Sequence, residues 1–298
     1  MHDFLMSLIP WGTEAIAWVQ HFRTPILDSL FKALTFLGEE EFYLILMPLI
    51  YWVVDKSLGA RLVFAFLPGA YLNNWLKDLF IIPRPNPARV ARLVEETSYA
   101  FPSGHAQNST ALFGFLAAHI RRWFTWALAA LLIVGVALSR VYLGVHYPQD
   151  VAGGLVVGTI WLLLFLWLEK PAGAWIGAQA LAVRLSLAFL VPTLLVLFHP
   201  TQETTTPMAT LAGIGVAYVL EKEWIGFKAD GPWWRRALRF VVGLVLVIIA
   251  YVGLKAILPE GLLFRYVRYS CVGLTAGLIA PWVFVRINLA TSEGGKEK

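Results

Sequence analysis

WFTWALAALLIVGVALSRVYLGVHYPQD, residues 123–150, decides the fold. From Trp123 to Leu138 no side chain is charged, and a run of that length and character reads as a helix lying in lipid. The run ends on Ser139-Arg140, and Pro148, well suited to a first helical position, opens the next helix with His146 just before it and Asp150 just inside it. Ionisable groups held at the ends of membrane helices are costly there and point to a use.

Working outward, comparable apolar runs cover Glu41 to Val54, Leu58 to Leu76, Ala106 to Ile120, Trp123 to Tyr142, Val151 to Leu168, Leu181 to Phe198, Met208 to Leu220, Ala237 to Leu258 and Val267 to Val285. The expected fold is therefore all-α, a polytopic transmembrane helix bundle of about nine spans. With 58% hydrophobic and only 14% charged residues, the chain has more apolar surface than a soluble core can hide. Phe4 to Val19 and Ile26 to Leu37, broken by Pro10, Gly12 and Pro25, read as interfacial or re-entrant helices. No Lys or Arg precedes His21, so the first helices are not expected to be a cleaved signal.

The net charge of +5 falls between the apolar runs and forms no basic stripe, which argues against nucleic acid and for membrane topology. With the motif residues set aside, Lys56, Arg61, Arg121, Arg122, Lys170 and the loop Lys222 to Arg239 fall on one side, expected to be cytoplasmic. The motifs then face the extracytoplasmic side. Cys271 is the only cysteine, which excludes an intrachain disulfide and a cysteine metal cluster. Three regions are expected: N-terminal interfacial helices over residues 1–40, a core over 41–170 and a four-helix extension over 171–298. Only Thr291 to Lys298 looks disordered.

Three strings carry chemistry. In Lys77 to Pro85, Pro83 and Pro85 stop the helix before it runs through Arg84, leaving two cations on a rigid turn that an anion between them would stabilise. In Pro102 to His105, Ser103 is a natural N-cap, Gly104 lets backbone N–H groups approach a ligand, and His105 lies in the first turn of a helix whose N-terminus favours anions. In Ser139 to Asp150, Arg140 adds a third cation, and the spacing of His146 and Asp150 lets the carboxylate bond one ring nitrogen while the other stays free as a nucleophile. No Asp/Glu/His cluster with metal-ligand spacing lies near these strings, so no metal or other cofactor is expected. Glu95 and Glu96 read as a solvated loop face. Asn73, Asn74, Asn108, Ser109 and Thr110 either face a cavity or bond helix to helix.

These three strings resemble the signature of the type 2 phosphatidic acid phosphatase superfamily, with every signature position present: Lys77, Arg84, Pro85, Pro102, Ser103, Gly104, His105, Ser139, Arg140, His146 and Asp150. The resemblance covers roughly Glu41 to Lys170, and the nine-span layout is similar to that of glucose-6-phosphatase and sphingosine-phosphate phosphatases. It implies a metal-independent phosphoric monoester hydrolase acting on a lipid phosphate or pyrophosphate, such as phosphatidate, sphingosine phosphate or an isoprenoid pyrophosphate. It further implies that Lys77, Arg84, Ser103, Gly104 and Arg140 hold the phosphoryl oxygens. His146, oriented by Asp150, would form a phosphohistidine, and His105 would protonate the leaving alkoxide. The expected partners are a phosphorylated lipid and the membrane lipids, with a homodimer left open and no nucleic acid. Two other readings stay open, a phosphatase for a soluble sugar phosphate and a phosphate-binding transporter or scaffold without hydrolysis.

Overall fold

The computed structural model describes residues 1–292, and helices dominate them. In chain order they are His2–Ser7 (α1), Ile9–Gln20 (α2), Pro25–Phe36 (α3), Glu40–Leu49 (α4), Lys56–Phe80 (α5), Gly104–Ile120 (α6), Trp123–Tyr142 (α7), Pro148–Gly177 (α8), Leu181–Phe198 (α9), Gln202–Trp224 (α10), Trp233–Ile257 (α11), Leu262–Leu274 (α12) and Ala280–Arg286 (α13). Ile50–Val54 and Thr275–Ile279 are π-helical turns that extend α4 and join α12 to α13.

Every run expected to span is helical, but not all are apolar enough to cross a bilayer. Five are long and apolar enough: α7, α8, α9, α11 and the composite Leu262–Arg286. The others fall short for separate reasons. Helix α4 has 10 residues before its π-helical extension, α6 has 17, and α5 carries Lys56, Arg61, Asn73, Asn74 and Lys77. Helix α10 carries Glu203, Glu221, Lys222 and Glu223 and buries small residues, among them Thr204, Thr205, Ala209, Ala212, Gly213 and Gly215, against its neighbours.

The chain divides into two compact units, Met1–Tyr43 with Leu72–Leu168, and Leu44–Tyr71 with Glu169–Lys298. This grouping differs from the expected 1–40, 41–170 and 171–298. The N-terminal helices join the motif-bearing helices, and residues 44–71 join the C-terminal ones. The boundary expected between residues 170 and 171 falls inside a helix, since α8 continues to Gly177 despite Pro171, one proline removing a single backbone hydrogen bond.

In the first unit, α2 and α3 pack on α7, around a core that includes Ile16, Ala106, Ala137, Val141 and Val151. Thr24 caps α3 by accepting from Leu27 N–H, and Pro25 takes the first helical position. Helices α6 and α8 approach so closely that a Cβ on Gly154 would lie 2.4 Å from the Ser103 carbonyl oxygen, and one on Gly158 2.7 Å from that of Gln107. Small residues four apart on one face allow that contact. Gln20 on α2 then pins the irregular segment 81–103, donating to the Ala91 and Tyr142 carbonyls and accepting from Ala91 N–H.

In the second unit α10 lies against α9 and α12. A Cβ on Gly213 would sit 2.0 Å from the Ser270 carbonyl oxygen and one on Gly273 2.6 Å from that of Thr210, so substitution at either would force the helices apart. Lys56 pairs with the fully buried Glu221 at 3.0 Å, and Arg61 pairs with Glu169 at 2.7 Å. The expected disordered tail is partly ordered: Lys228 N–H donates to the Thr291 carbonyl and Ser292 bridges Phe227. Its residues 293–298 lie outside the described residues.

Candidate active site

All the sequence-predicted site residues fall in the first unit. Lys77 sits in the last turn of α5, which ends at Phe80 three residues ahead of Pro83. Its Nζ donates to Ser98 Oγ at 2.8 Å. Arg84 follows in the irregular segment, held by Nε to the Ser98 carbonyl at 2.7 Å and Nη2 to Ser98 Oγ at 3.0 Å. One serine thus holds two cations side by side. Ser103 is the N-cap of α6, its Oγ facing Ala106 N–H at 3.5 Å, and its own N–H donates to the Asp150 carbonyl at 2.9 Å. A Cβ on Gly104 would meet Asn73 Oδ1 at 2.9 Å, so any side chain there would displace Asn73 from Gln107.

Arg140, at the end of α7, is fully buried. Its Nη1 donates to Thr35 Oγ1 at 2.5 Å, and its Nη2 pairs with Glu96 Oε1. Glu96 Oε2 reaches Arg84 Nη2 at 3.2 Å, so this carboxylate bridges the two arginines. Glu39, in the turn between α3 and α4, places Oε1 3.1 Å from His105 Nε2 and 3.9 Å from Arg140 Nη1. The turn packs tightly on the ring: a Cβ on Gly38 would lie 2.5 Å from His105 Cδ2.

His146 is set by two neighbours. Arg84 Nη1 lies 3.0 Å from its Nε2. A guanidinium can only donate, so Nε2 carries the lone pair and the ring proton sits on Nδ1. Asp150 Oδ2 is 3.5 Å from that Nδ1 and accepts from Tyr147 N–H at 2.8 Å. The carboxylate therefore faces the ring at ion-pair distance, without the hydrogen bond the spacing suggested. Nδ1 of His146, Oδ1 of Asp150 and Nε of Arg140 are buried without a hydrogen-bond partner among the described residues.

Sequence reasoning placed the three cations, Ser103, Gly104, both histidines and Asp150 together, and the structure brings them together. It missed Thr35, Glu39 and Ser98, and it read Glu96 as a solvated face, whereas Glu96 is a member of the site. Their one trace in the sequence is charge balance, since Lys77, Arg84 and Arg140 could not be buried together without carboxylates. Of the polar residues inside apolar runs, Asn73 bonds helix to helix, donating to Gln107 Oε1 at 2.9 Å, while Ser109 and Thr110 donate to the Ala106 carbonyl within their own helix.

The site's loops set its proton affinities. Burial first, then Arg84 and Arg140, holds the His146 ring well below the ordinary histidine range, so it is neutral at pH 7. The His105 ring lowers the Glu39 carboxyl. Burial alone would raise that of Glu96, but Arg140 and Arg84 outweigh it and the group lies below its usual value. Arg84 is pushed down to about 10, chiefly by burial, with Glu96 pulling the other way. His146, Glu39 and Glu96 all bind protons more weakly folded than unfolded, so on acidification the unfolded chain takes up protons first. The part of the stability that rests on these three groups is full above the ordinary histidine value of 6.5 and is lost below it, first through His146 and then through the carboxylates. The melting temperature of the purified protein should drop between about pH 7 and pH 5, and in His146→Gln the upper part of that drop should shrink to the share of His105, which burial pushes down to about 4.

A helical membrane protein whose buried cations converge on a neutral histidine at its helix ends defines a class, a membrane protein with a buried polar cluster. Family comparison makes it particular. A sequence-family model described as "PAP2 superfamily" matches residues 58–173, and one described as "PAP2 superfamily phosphatase, transmembrane extension" matches residues 205–292. Phosphatidylglycerophosphatase B of Bacillus subtilis is 33% identical over 156 residues, covering 48% of this chain and 74% of that protein. Lipid phosphate phosphatase delta of Arabidopsis thaliana is 29% identical over 231 residues, covering 69% and 55%. Sphingosine-1-phosphate phosphatase 2 of Mus musculus is 30% identical over 207 residues, covering 63% and 57%. The chain belongs to the PAP2 superfamily and is an integral membrane protein. It spans only about half the length of the Arabidopsis and mouse relatives.

Proposed function

We propose that this protein is a metal-independent membrane phosphatase that hydrolyses a lipid phosphate monoester through a phosphohistidine, with its active site on the extracytoplasmic face. The observation that carries the reading is the convergence of Arg84 on the lone pair of His146, with Arg140 joined to Arg84 through Glu96 and Asp150 behind the ring. The names of the relatives, all phosphatases of lipid phosphates, support the same chemistry.

An incoming phosphate takes the place of Glu96 between the arginines and draws the Arg84 N–H from His146 Nε2, releasing that lone pair. His146 then attacks phosphorus in line. The ring becomes cationic, and Asp150, 3.5 Å away, stabilises it and closes onto the Nδ1 proton. Lys77, Arg84, Arg140, Ser103 and the Gly104 N–H neutralise the charge gathering on the phosphoryl oxygens. His105, held down to about 4 by burial in the resting site, takes up a proton when the phosphate anion arrives beside it, gives that proton to the departing alkoxide and then, neutral, activates the water that frees phosphate. The topology is supported by Arg121 and Arg122, which lie at the opposite ends of α6 and α7 from the site. Residues 171–298, which contain the match to the transmembrane extension, form a region separate from this chemistry.

The test is phosphate release by the purified chain from phosphatidate, sphingosine 1-phosphate, an isoprenyl pyrophosphate and glucose 6-phosphate, with and without excess chelator and vanadate. Release from a lipid substrate that survives chelator and is blocked by vanadate is expected. Complete, metal-reversible loss under chelator, or activity confined to glucose 6-phosphate, would overturn the assignment.

A further inference from the structure

We infer that Glu39 and Glu96 form an anionic rim that selects a phosphomonoester bearing an ammonium two carbons from the ester oxygen, as in a sphingoid-base phosphate. The inference rests on the phosphatase reading above and concerns what lies next to the phosphate.

The site has a depth order. The Arg140 and Asp150 side chains are 0% exposed and that of His146 is 1% exposed, whereas Glu96 is 21% and Glu39 36% exposed. A phosphate drawn to the buried cations must therefore leave its organic group at the mouth, where these two glutamates are the carboxylates it meets, with Arg89 and Arg92 on the Arg84 side. Both stand where a substrate would put oxygen. Glu96 bridges Arg84 and Arg140, which the phosphoryl oxygens require, and Glu39 Oε1 lies 3.1 Å from His105 Nε2, where the leaving oxygen must come to be protonated. On binding, both carboxylates must shift outward by a side-chain rotation. Nothing prevents this, since Glu39 is in a turn and Glu96 in an irregular segment. They then flank the first carbons of the leaving group.

The chemistry of those carbons sorts the candidate lipids. An ammonium on the second carbon lies roughly 3–4 Å from the ester oxygen, within reach of a carboxylate displaced from His105. It offers each glutamate a cation in exchange for the arginine it gave up. Phosphatidate presents an acyl ester there, with acceptor oxygens and no donor, so both carboxylates stay uncompensated. A pyrophosphate presents a second anion, the least compatible group for two glutamates. An amine substrate alone restores the site's ion pairs while delivering its phosphate.

The experiment compares kcat/KM of the full-length purified protein for sphingosine 1-phosphate, its N-acetyl derivative, phosphatidate and O-phosphoethanolamine, in wild type, Glu39→Gln and Glu96→Gln. Wild type should prefer the free amine over its N-acetyl counterpart by about tenfold or more, the equivalent of about 1.4 kcal/mol. Each Gln variant should erase most of that preference, chiefly through KM, while Glu39→Asp and Glu96→Asp retain it. Rapid turnover of O-phosphoethanolamine would identify the soluble form of the same chemistry, and its slow turnover the lipid form. Gln variants that change all four substrates by one common factor, or a wild type indifferent to N-acetylation, would overturn the inference. Absence of phosphate release from every substrate would instead bring down the phosphatase reading itself.

Discussion

His146→Ala lowers phosphate release by about 10⁴-fold or more, as expected when the atom that bonds to phosphorus is removed. The expectation follows from the proton inventory of the ring. Arg84 occupies Nε2 as a donor, which leaves a lone pair at the place where the buried cations converge, and Asp150 stands behind the opposite nitrogen. No other neutral nitrogen base among the described site residues lies 3.0 Å from an arginine of the cradle in this way. His105→Ala is the informative companion. It should cost less, about 10²–10⁴-fold, and the loss should shrink for p-nitrophenyl phosphate, whose leaving group needs no proton. His146→Ala should gain nothing from the better leaving group. Wild-type rates in His146→Ala, measured as inorganic phosphate released, would contradict the nucleophile assignment.

Arg140→Lys should lower kcat/KM by about 10²–10³-fold, although the charge is kept. The guanidinium works through its fork: Nη1 donates to Thr35 while Nη2 meets Glu96, and these directions are fixed by one planar group. A lysine ammonium at the end of a flexible stem cannot serve both positions, and at a side chain that is 0% exposed no water replaces the missing contact with Thr35. The loss should lie in kcat as well as KM, because a phosphoryl group gathering charge needs the fork more than the ground state does. Kinetics at saturating substrate separate the two, and a thermal melt on the same sample reports whether Thr35 and Glu96 lose order.

What was legible in the sequence is what helix ends dictate locally. Pro83 stops α5, Ser103 caps α6 and Pro148 opens α8, so the positions of Lys77, His105 and Asp150 near those ends follow from backbone chemistry alone. The parts that were not legible depend on packing between segments far apart in the chain. Glu39 reaches His105 only because α3 lies along α7. Glu96 reaches Arg140 in the segment that Gln20 ties to Ala91 and Tyr142. Length and composition single out five of the nine expected runs as spans, because hydrophobic runs look alike whether they face lipid or a neighbouring helix. Helix α10, with Gly213 against the Ser270 carbonyl, is of the second kind.

The bridge between Glu96 and the two arginines also bears on how such a site can be made at all. Cations stranded in a nascent membrane protein would oppose its assembly in lipid, since a buried charge without a partner is among the largest single costs a fold can carry. With Glu39, Glu96 and Asp150 standing beside Lys77, Arg84 and Arg140, the resting protein has as many carboxylates as cations there and needs no phosphate to be complete. Biogenesis is thereby uncoupled from substrate supply, and each turnover begins by opening an ion-pair network that folding had already closed.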